Sequence, residues 1–256
     1  MLKERKEKNI LSETRDKFLE IIRKNKLDDV GMSVLVKTLT PFEAIGEPGR
    51  RDFPIIIGKE RVIEAEFLGA RAQAFTDSPK EFIGKLKEIL NFPLTSNGER
   101  AIYIAALNAV LKFLHLVEGT LHCKDDEPEK CASEISSFIL KKWGKIKVGL
   151  IGLNPALAEM LVSTFGSKDI KITDLNQENI NSLKYGVEIW DGNEMTNVLI
   201  SSSDVILITG TTFVNGTSDS IIDYIKDCGK DYLIYGATGV GVCKLIYLNR
   251  ICPFGK

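Results

Sequence analysis

The sequence predicts an α/β chain in two parts: an α+β first half, and a Rossmann-like, doubly wound second half with a mainly parallel sheet. Two observations carry this. In the first half three strand-like runs stand together and helical stretches follow them, which is the order of an α+β unit. From Ile146 onward, short apolar runs alternate with segments long enough for crossover helices, and short apolar strands of this kind are usually parallel and covered on both faces.

Along the chain, Ile10, Leu11, Phe18, Ile21 and Ile22 recur with helical spacing, which predicts a helix over about 10–27. Met32–Leu39 alternates, with Val34, Val36 and Thr38 on one face. Arg61–Leu68 and Ala70–Phe75 are separated by Gly69 alone, which suggests a tight hairpin or a bulge. Ser78 and Pro79 predict a helix running to about Leu90, and Ser96 or Asn97 caps a longer one from Glu99 to about Leu116. A further helix over about 127–143 joins the halves, with Asp126 as N-cap, Pro128 in its first turn and Glu129 in the capping-box position. The expected domains are therefore 1–125 and 126–256. Strands are expected at Ile146–Ile151, Ile170–Thr173, Val187–Trp190, Val205–Thr209 and Tyr232–Tyr235.

The run Thr209–Thr217 (TGTTFVNGT) is the most informative segment. It lies where an apolar strand hands over to a helix, the end of an open α/β sheet at which ligands bind. Its threonines, Thr209, Thr211, Thr212 and Thr217, with Asn215 supply donors and acceptors but no strong base. Gly210 lets the backbone come close, and free N–H groups at the helix start favour a phosphate or carboxylate. Gly236 and Thr238, in the glycine-rich stretch after the last strand, are expected beside it. The first strand of this half ends in Gly152, Asn154 and Pro155, without the G-x-G-x-x-G dinucleotide fingerprint. Asp174 ends the second strand, where an acid can hold ribose hydroxyls. That single acid is the basis for a third-ranked expectation, a nucleoside-dependent methyltransferase.

In the first half, Glu64 and Glu66 share one strand face and are candidate acids at an interdomain cleft; the plainer reading is a solvated face. Asn108 lies in a strongly apolar helix, so its buried amide either braces a turn or faces a ligand. His122, Cys123 and the acids Asp125–Glu127 form a short polar cluster that could bind a transition metal. Their spacing is wrong for a structural zinc knuckle, and helix capping explains most of the acids. His115, in LKFLHLV, reads as a buried core histidine, and Arg50–Asp52 as surface.

Composition excludes some classes. The net charge is −1 with 27% charged residues, which argues against nucleic acid or a membrane surface as partner. No apolar stretch approaches the ~20 residues of a membrane span. The first ten residues lack the apolar core of a signal peptide. With five cysteines, an odd number, reduced thiols in a cytoplasm are expected. Exposed edges in such sheets often pair, so a homo-oligomer is among the expected assemblies.

Several stretches together resemble a bacterial and archaeal family of unknown function described as heavy-metal chelation proteins. They are Phe53–Thr76, Ala106–Val110, Gly119–Cys131, Thr209–Thr217 and Tyr235–Gly241. The resemblance implies an N-terminal domain like that of enolase, followed by a Rossmann-like domain. It also implies a site between them for a pterin, flavin precursor or siderophore-like chelator. Enolase activity does not carry over, because the enolase barrel and its metal-binding carboxylates are not encoded here. The leading expectation is a small-molecule enzyme performing condensation or hydrolysis. Glu64 or Glu66 and Asn108 would close its pocket, Thr211, Thr212 and Asn215 would hold a polar group, and His122 or a Glu would act as general acid–base. The alternative is a carrier of a metal chelate without turnover. In either case a transition metal is expected to bind through a chelating ligand, with His122 and Cys123 as the only protein candidates.

Overall fold

The computed structural model describes residues 9–27, 33–58 and 60–256. Met32, the first residue of the expected first strand, and the charged stretch at 1–8 lie outside them. The chain forms a mixed α/β structure with two sheets, one antiparallel and one mainly parallel.

Helix α1 (Ile10–Lys24) is capped by the Asn9 side chain and buries Leu11, Phe18 and Ile22, the stripe its sequence spacing predicts. Strand β1 (Ser33–Leu39) leads through α2 (Pro41–Ile45) to β2 (Arg61–Phe67) and β3 (Ala70–Thr76). Leu68 (φ +49°) and Gly69 (φ +82°) close the β2–β3 hairpin, with Phe67 opposite Ala70. The helix expected from Ser78 to Leu90 is a strand followed by one short helix, β4 (Phe82–Lys85) and α3 (Leu86–Leu90). Local sequence loses here because β4 pairs with the free edge of β1, setting Val34 opposite Gly84 and Val36 opposite Phe82. The resulting sheet runs β3-β2-β1-β4. Helix α4 (Asn97–Phe113), capped by Ser96, lies across β2 and β3. It ends before His115, which is exposed in a left-handed turn (φ +55°) and is not the core histidine expected.

Helix α5 (Glu127–Trp143) carries the chain into the second sheet. Its expected capping box does not form: Asp126 makes no side-chain cap bond and pairs with Lys130 instead. The Glu127 carboxylate accepts from the Lys124 N–H. The elements that follow are β5 (Val148–Ile151), α6 (Pro155–Phe165), β6 (Ile170–Asp174), β7 (Leu183–Lys184), β8 (Val187–Asp191) and α7 (Gly192–Ser201). Then come β9 (Val205–Thr209), α8 (Thr212–Asn215), α9 (Ser218–Asp227), β10 (Asp231–Tyr235), α10 (Val240–Ile246) and β11 (Arg250–Ile251). The sheet order is β11-β10-β9-β5-β6-β8-β7, parallel apart from β7. Its winding reverses between β5 and β9, so the crevice above the carboxyl ends of those two strands is where this architecture places a ligand.

The two sheets share their cores. One cluster joins Phe18, Ile63 and Tyr103 of the first part to Ile208 and Phe213 of the second. Another joins Ile45 and Phe53 to Ile139, Val148 and Leu161. Polar clamps fix the junction. Arg50 does not lie free on the surface. It donates to Asp52, to Glu159 on α6 at 2.8 Å and to the Tyr185 hydroxyl at 2.7 Å, and these partners raise its already high pKa.

Asn108, wholly buried on α4, donates through Nδ2 to the Thr238 carbonyl (3.0 Å) and accepts through Oδ1 from the Gly241 N–H (2.8 Å). A Cβ at Gly241 would lie 2.5 Å from Asn108 Oδ1, so only glycine allows this approach. Replacing Asn108 with Leu strands two buried backbone groups. We expect a loss of about 2–4 kcal/mol in urea unfolding; a loss under 1 kcal/mol would show that the clamp is unimportant.

Candidate functional site

A cavity of about 770 Å³ opens between the two parts, at the winding reversal. That volume lies in the range of small-molecule sites. Its Rossmann-side wall is built by strand ends. Gly152, after β5, adopts φ +87°, and a Cβ there would lie 2.5 Å from Thr209 Cγ2, so glycine keeps the β5 and β9 ends in contact. Its N–H donates to the Thr173 carbonyl, and its carbonyl accepts from the Tyr235 hydroxyl at 2.9 Å. Asn154 lines the same wall and caps α6, accepting from Leu157 N–H at 3.0 Å.

The run Thr209–Thr217 lines the next wall in part, and is less of a loop than expected. Thr212–Asn215 is one helical turn, with Phe213 and Val214 buried in the core. Thr209 and Thr211 share a hydroxyl contact of 3.0 Å, Thr212 Oγ1 donates to the Thr209 carbonyl, and Asn215 Oδ1 accepts from Thr217 N–H and Oγ1. The wall is thus held in shape by its own hydrogen bonds. Gly210, Gly236 and Thr238 also reach the cavity. Thr238 Oγ1 accepts from the Phe75 N–H at 3.1 Å, which ties this wall to β3.

Asp174 lines the cavity, but its oxygens are engaged: Oδ2 accepts from Leu153 N–H (2.8 Å) and Oδ1 from Asn176 N–H (2.7 Å). It therefore braces the turn after β5, each oxygen holding one backbone N–H. Burial raises its pKa, and these N–H donors offset part of the rise.

From the first part come Phe75, Asp77, Asn97, His122 and Glu60. The His122 ring packs edge-on against Phe75 and donates through Nδ1 to the Cys123 carbonyl, which leaves Nε2 as the basic nitrogen of the neutral ring. Burial lowers its pKa, so the ring is neutral at pH 7. Glu60 carries the largest perturbation among the cavity carboxylates. Burial raises its pKa to about 7, the Asp174 and Asp77 carboxylates push the same way, and His122 opposes them.

Four expected site residues do not line the cavity. Glu64 is buried on β2, accepting from Gln73 Nε2 (3.0 Å) on the neighbouring β3 and pairing with Arg71. Glu66 is exposed on the outer face. Asn108 acts behind the wall as the clamp described above. Cys123 is buried in the core beneath His122, with Sγ 3.8 Å from the ring's Nδ1. Among the described residues no group of three or more His, Cys, Asp or Glu is arranged to hold a metal ion.

Sequence reasoning missed Glu60, Asp77, Asn97 and the α7 entrance, where Asn193, Thr196 and Asn197 lie. The one available signal was Gly58-Lys59-Glu60 just before β2, of which Lys59 lies outside the described residues.

Fold and cavity together define a mixed α/β protein with two sheets and a small-molecule-sized crevice at the switch point. Residues 137–241 match the model of the DUF364 family, whose description is "Putative heavy-metal chelation", so the chain resembles that family as its sequence stretches implied. The match covers the Rossmann-side wall but not Glu60, Asp77 or His122. A family protein of unknown function from Pyrococcus horikoshii has a similar crystal structure. It is 18% identical over 90% of this chain and 80% of that one, with a TM-score of 0.51, a likeness of fold. Another, from Desulfitobacterium hafniense DCB-2, is 15% identical over 73% and 72%, with a TM-score of 0.48. No curated protein matches the chain.

Glu60 makes stability depend on pH in a defined direction. Below its unfolded value near 4.5 it is protonated in both states. Between there and about 7 the native state keeps a proton that the unfolded chain loses, so stability falls as pH rises. Glu60→Gln is expected to be more stable than the parent by about 1–2 kcal/mol at pH 8, after allowance for solvent at the cavity mouth. The two should converge at pH 4.5. Equal urea midpoints at both pH values would refute the buried-carboxyl assignment.

Proposed function

We propose that the chain is a small-molecule enzyme whose interdomain cavity performs a condensation or hydrolysis on a pterin, flavin precursor or siderophore-like compound, in the service of heavy-metal chelation. Glu60 carries this reading. A carboxyl that titrates near 7 in the wall of a small-molecule-sized cavity can give and take a proton at neutral pH. The neutral His122 imidazole stands close enough for each group to bias the other's protonation. Glu60 thus takes the acid–base role first expected of Glu64, Glu66 or His122. The threonine and asparagine wall, fixed by its own hydrogen bonds, orients the substrate. Any metal enters as part of the bound chelate, in keeping with the described residues, among which no three His, Cys, Asp or Glu are arranged to hold a metal ion.

A non-catalytic carrier is the second reading. Its support is the Thr209–Thr217 wall, whose hydroxyls bond to one another and to carbonyls rather than to a general base. Native mass spectrometry of the purified protein, paired with elemental analysis, identifies the retained ligand and any metal. Incubating that ligand with the protein is then expected to change its mass. Glu60→Gln should slow the change about 10²–10⁴-fold while still retaining ligand. A ligand chemically unchanged after long incubation with the parent would leave only the carrier.

A further inference from the structure

The two edges of the antiparallel sheet are finished differently. Outside β3 the chain closes the edge itself: the Gln73 N–H donates to the Thr120 carbonyl, and Thr120 Oγ1 donates to the Arg71 carbonyl. Outside β4, among the described residues, no strand follows. The Lys85 N–H turns away from β1 and donates to Glu88 Oε1 at 3.0 Å. Inward and outward residues alternate along an antiparallel strand, so Ile83 also presents its N–H and C=O to the open edge. Its side chain is 78% exposed, and Leu35, its neighbour across the ladder, is 41% exposed. Open edges with exposed apolar side chains invite another strand.

The sequence around Ile83 is complementary to itself. Glu81 and Lys85 stand two residues to either side, so their side chains share its face. Both are exposed, and neither forms an ion pair. When two copies of this strand pair antiparallel about a two-fold axis at Ile83, Glu81 of each faces Lys85 of the other. Each Ile83 meets its counterpart, and the two Leu35 side chains extend the contact into one apolar stripe across the joint. A slip of two residues in either direction sets a charge against each Ile83 instead, so the match specifies one register.

We propose that a second copy of the chain docks on this edge, joining two four-stranded sheets through β4 into one of eight strands. Lysine on an edge strand ordinarily blocks pairing. Here Lys85 admits a partner that carries a carboxylate at the matching place. The contact is short, so the dimer is a weak one. It is independent of the chemistry of the cavity, which lies at the β3 side of the sheet, where Phe75 and Thr76 line it.

Sedimentation velocity of the full chain between about 1 and about 200 μM tests this, a range that brackets weak association. The 28.5 kDa chain is expected to convert to a species of twice that mass as concentration rises. Lys85→Glu sets carboxylate against carboxylate at both ends of the joint and should weaken association about ten-fold, as should Glu81→Lys. Combining the two reversals restores the match and is expected to restore the dimer. Ile83→Asp should remove it. All three positions are exposed, so the thermal midpoints of the variants, measured alongside, should stay near that of the parent. A chain that remains a monomer throughout overturns the proposal. So does a dimer that Ile83→Asp leaves intact, or one whose loss in Lys85→Glu the double reversal does not recover.

Discussion

The amide of Asn108 is the contact on which the rest of the molecule depends. It sits on a helix of the first part and holds a glycine-rich turn of the second by a donor to Thr238 O and an acceptor for Gly241 N–H. A buried side-chain amide cannot be left half satisfied without a cost comparable to a large share of a domain's net stability. The two parts are therefore docked in one relative position. That position brings Thr238 Oγ1 to the Phe75 N–H and sets β3 against the switch-point loops. Arg50, joined to Glu159 and Tyr185, fixes the opposite side. Between these two clamps the crevice is held open by polar contacts, while shared apolar cores close on either side of it.

The crevice then follows from two conflicting demands. Strand ends in a doubly wound sheet leave backbone N–H groups and helix starts pointing at one place, which attracts negative charge. This chain answers part of that demand with its own groups: Asp174 holds Leu153 and Asn176, Asp191 holds Asn193, and Asn154 holds Leu157. Further carboxylates, Glu60 and Asp77, arrive from the first part, and none of the described residues lining the cavity is Lys or Arg. The consequence is a carboxyl that titrates near neutrality, which is both a source of acid–base chemistry and a source of instability at high pH.

The architecture was largely legible in sequence. The five longer parallel strands, β5, β6, β8, β9 and β10, fell where apolar runs of four to five residues end at glycine or aspartate, because such strands are buried on both faces and need no partner-dependent pattern. The Ser78–Leu90 stretch misled because β4 exists only through its pairing with β1. The expected capping box at Asp126 failed because its backbone angles (φ −91°, ψ −3°) are helical rather than the extended ones of an N-cap, and its carboxylate pairs with Lys130. His115 failed because α4 stops at Phe113, two residues short of it.

For the site, the sequence by itself determined one wall. Gly152, Asn154, Asp174, Thr209–Thr212, Asn215, Gly236 and Thr238 all follow strand ends, and strand ends in this topology converge on one edge. Only the tertiary structure decided the other wall. Which carboxylate of Glu60, Glu64 and Glu66 faces the crevice depends on how the antiparallel sheet docks, since alternation puts Glu64 and Glu66 on one face and cannot say how far along the strand that face is covered. Docking buries Glu64 against Gln73, leaves Glu66 in solvent, and turns the residue just before the strand, Glu60, to the cavity. The same is true of charge: each acid is visible in sequence, but the lack of a compensating cation among the described lining residues is a property of the assembled cavity.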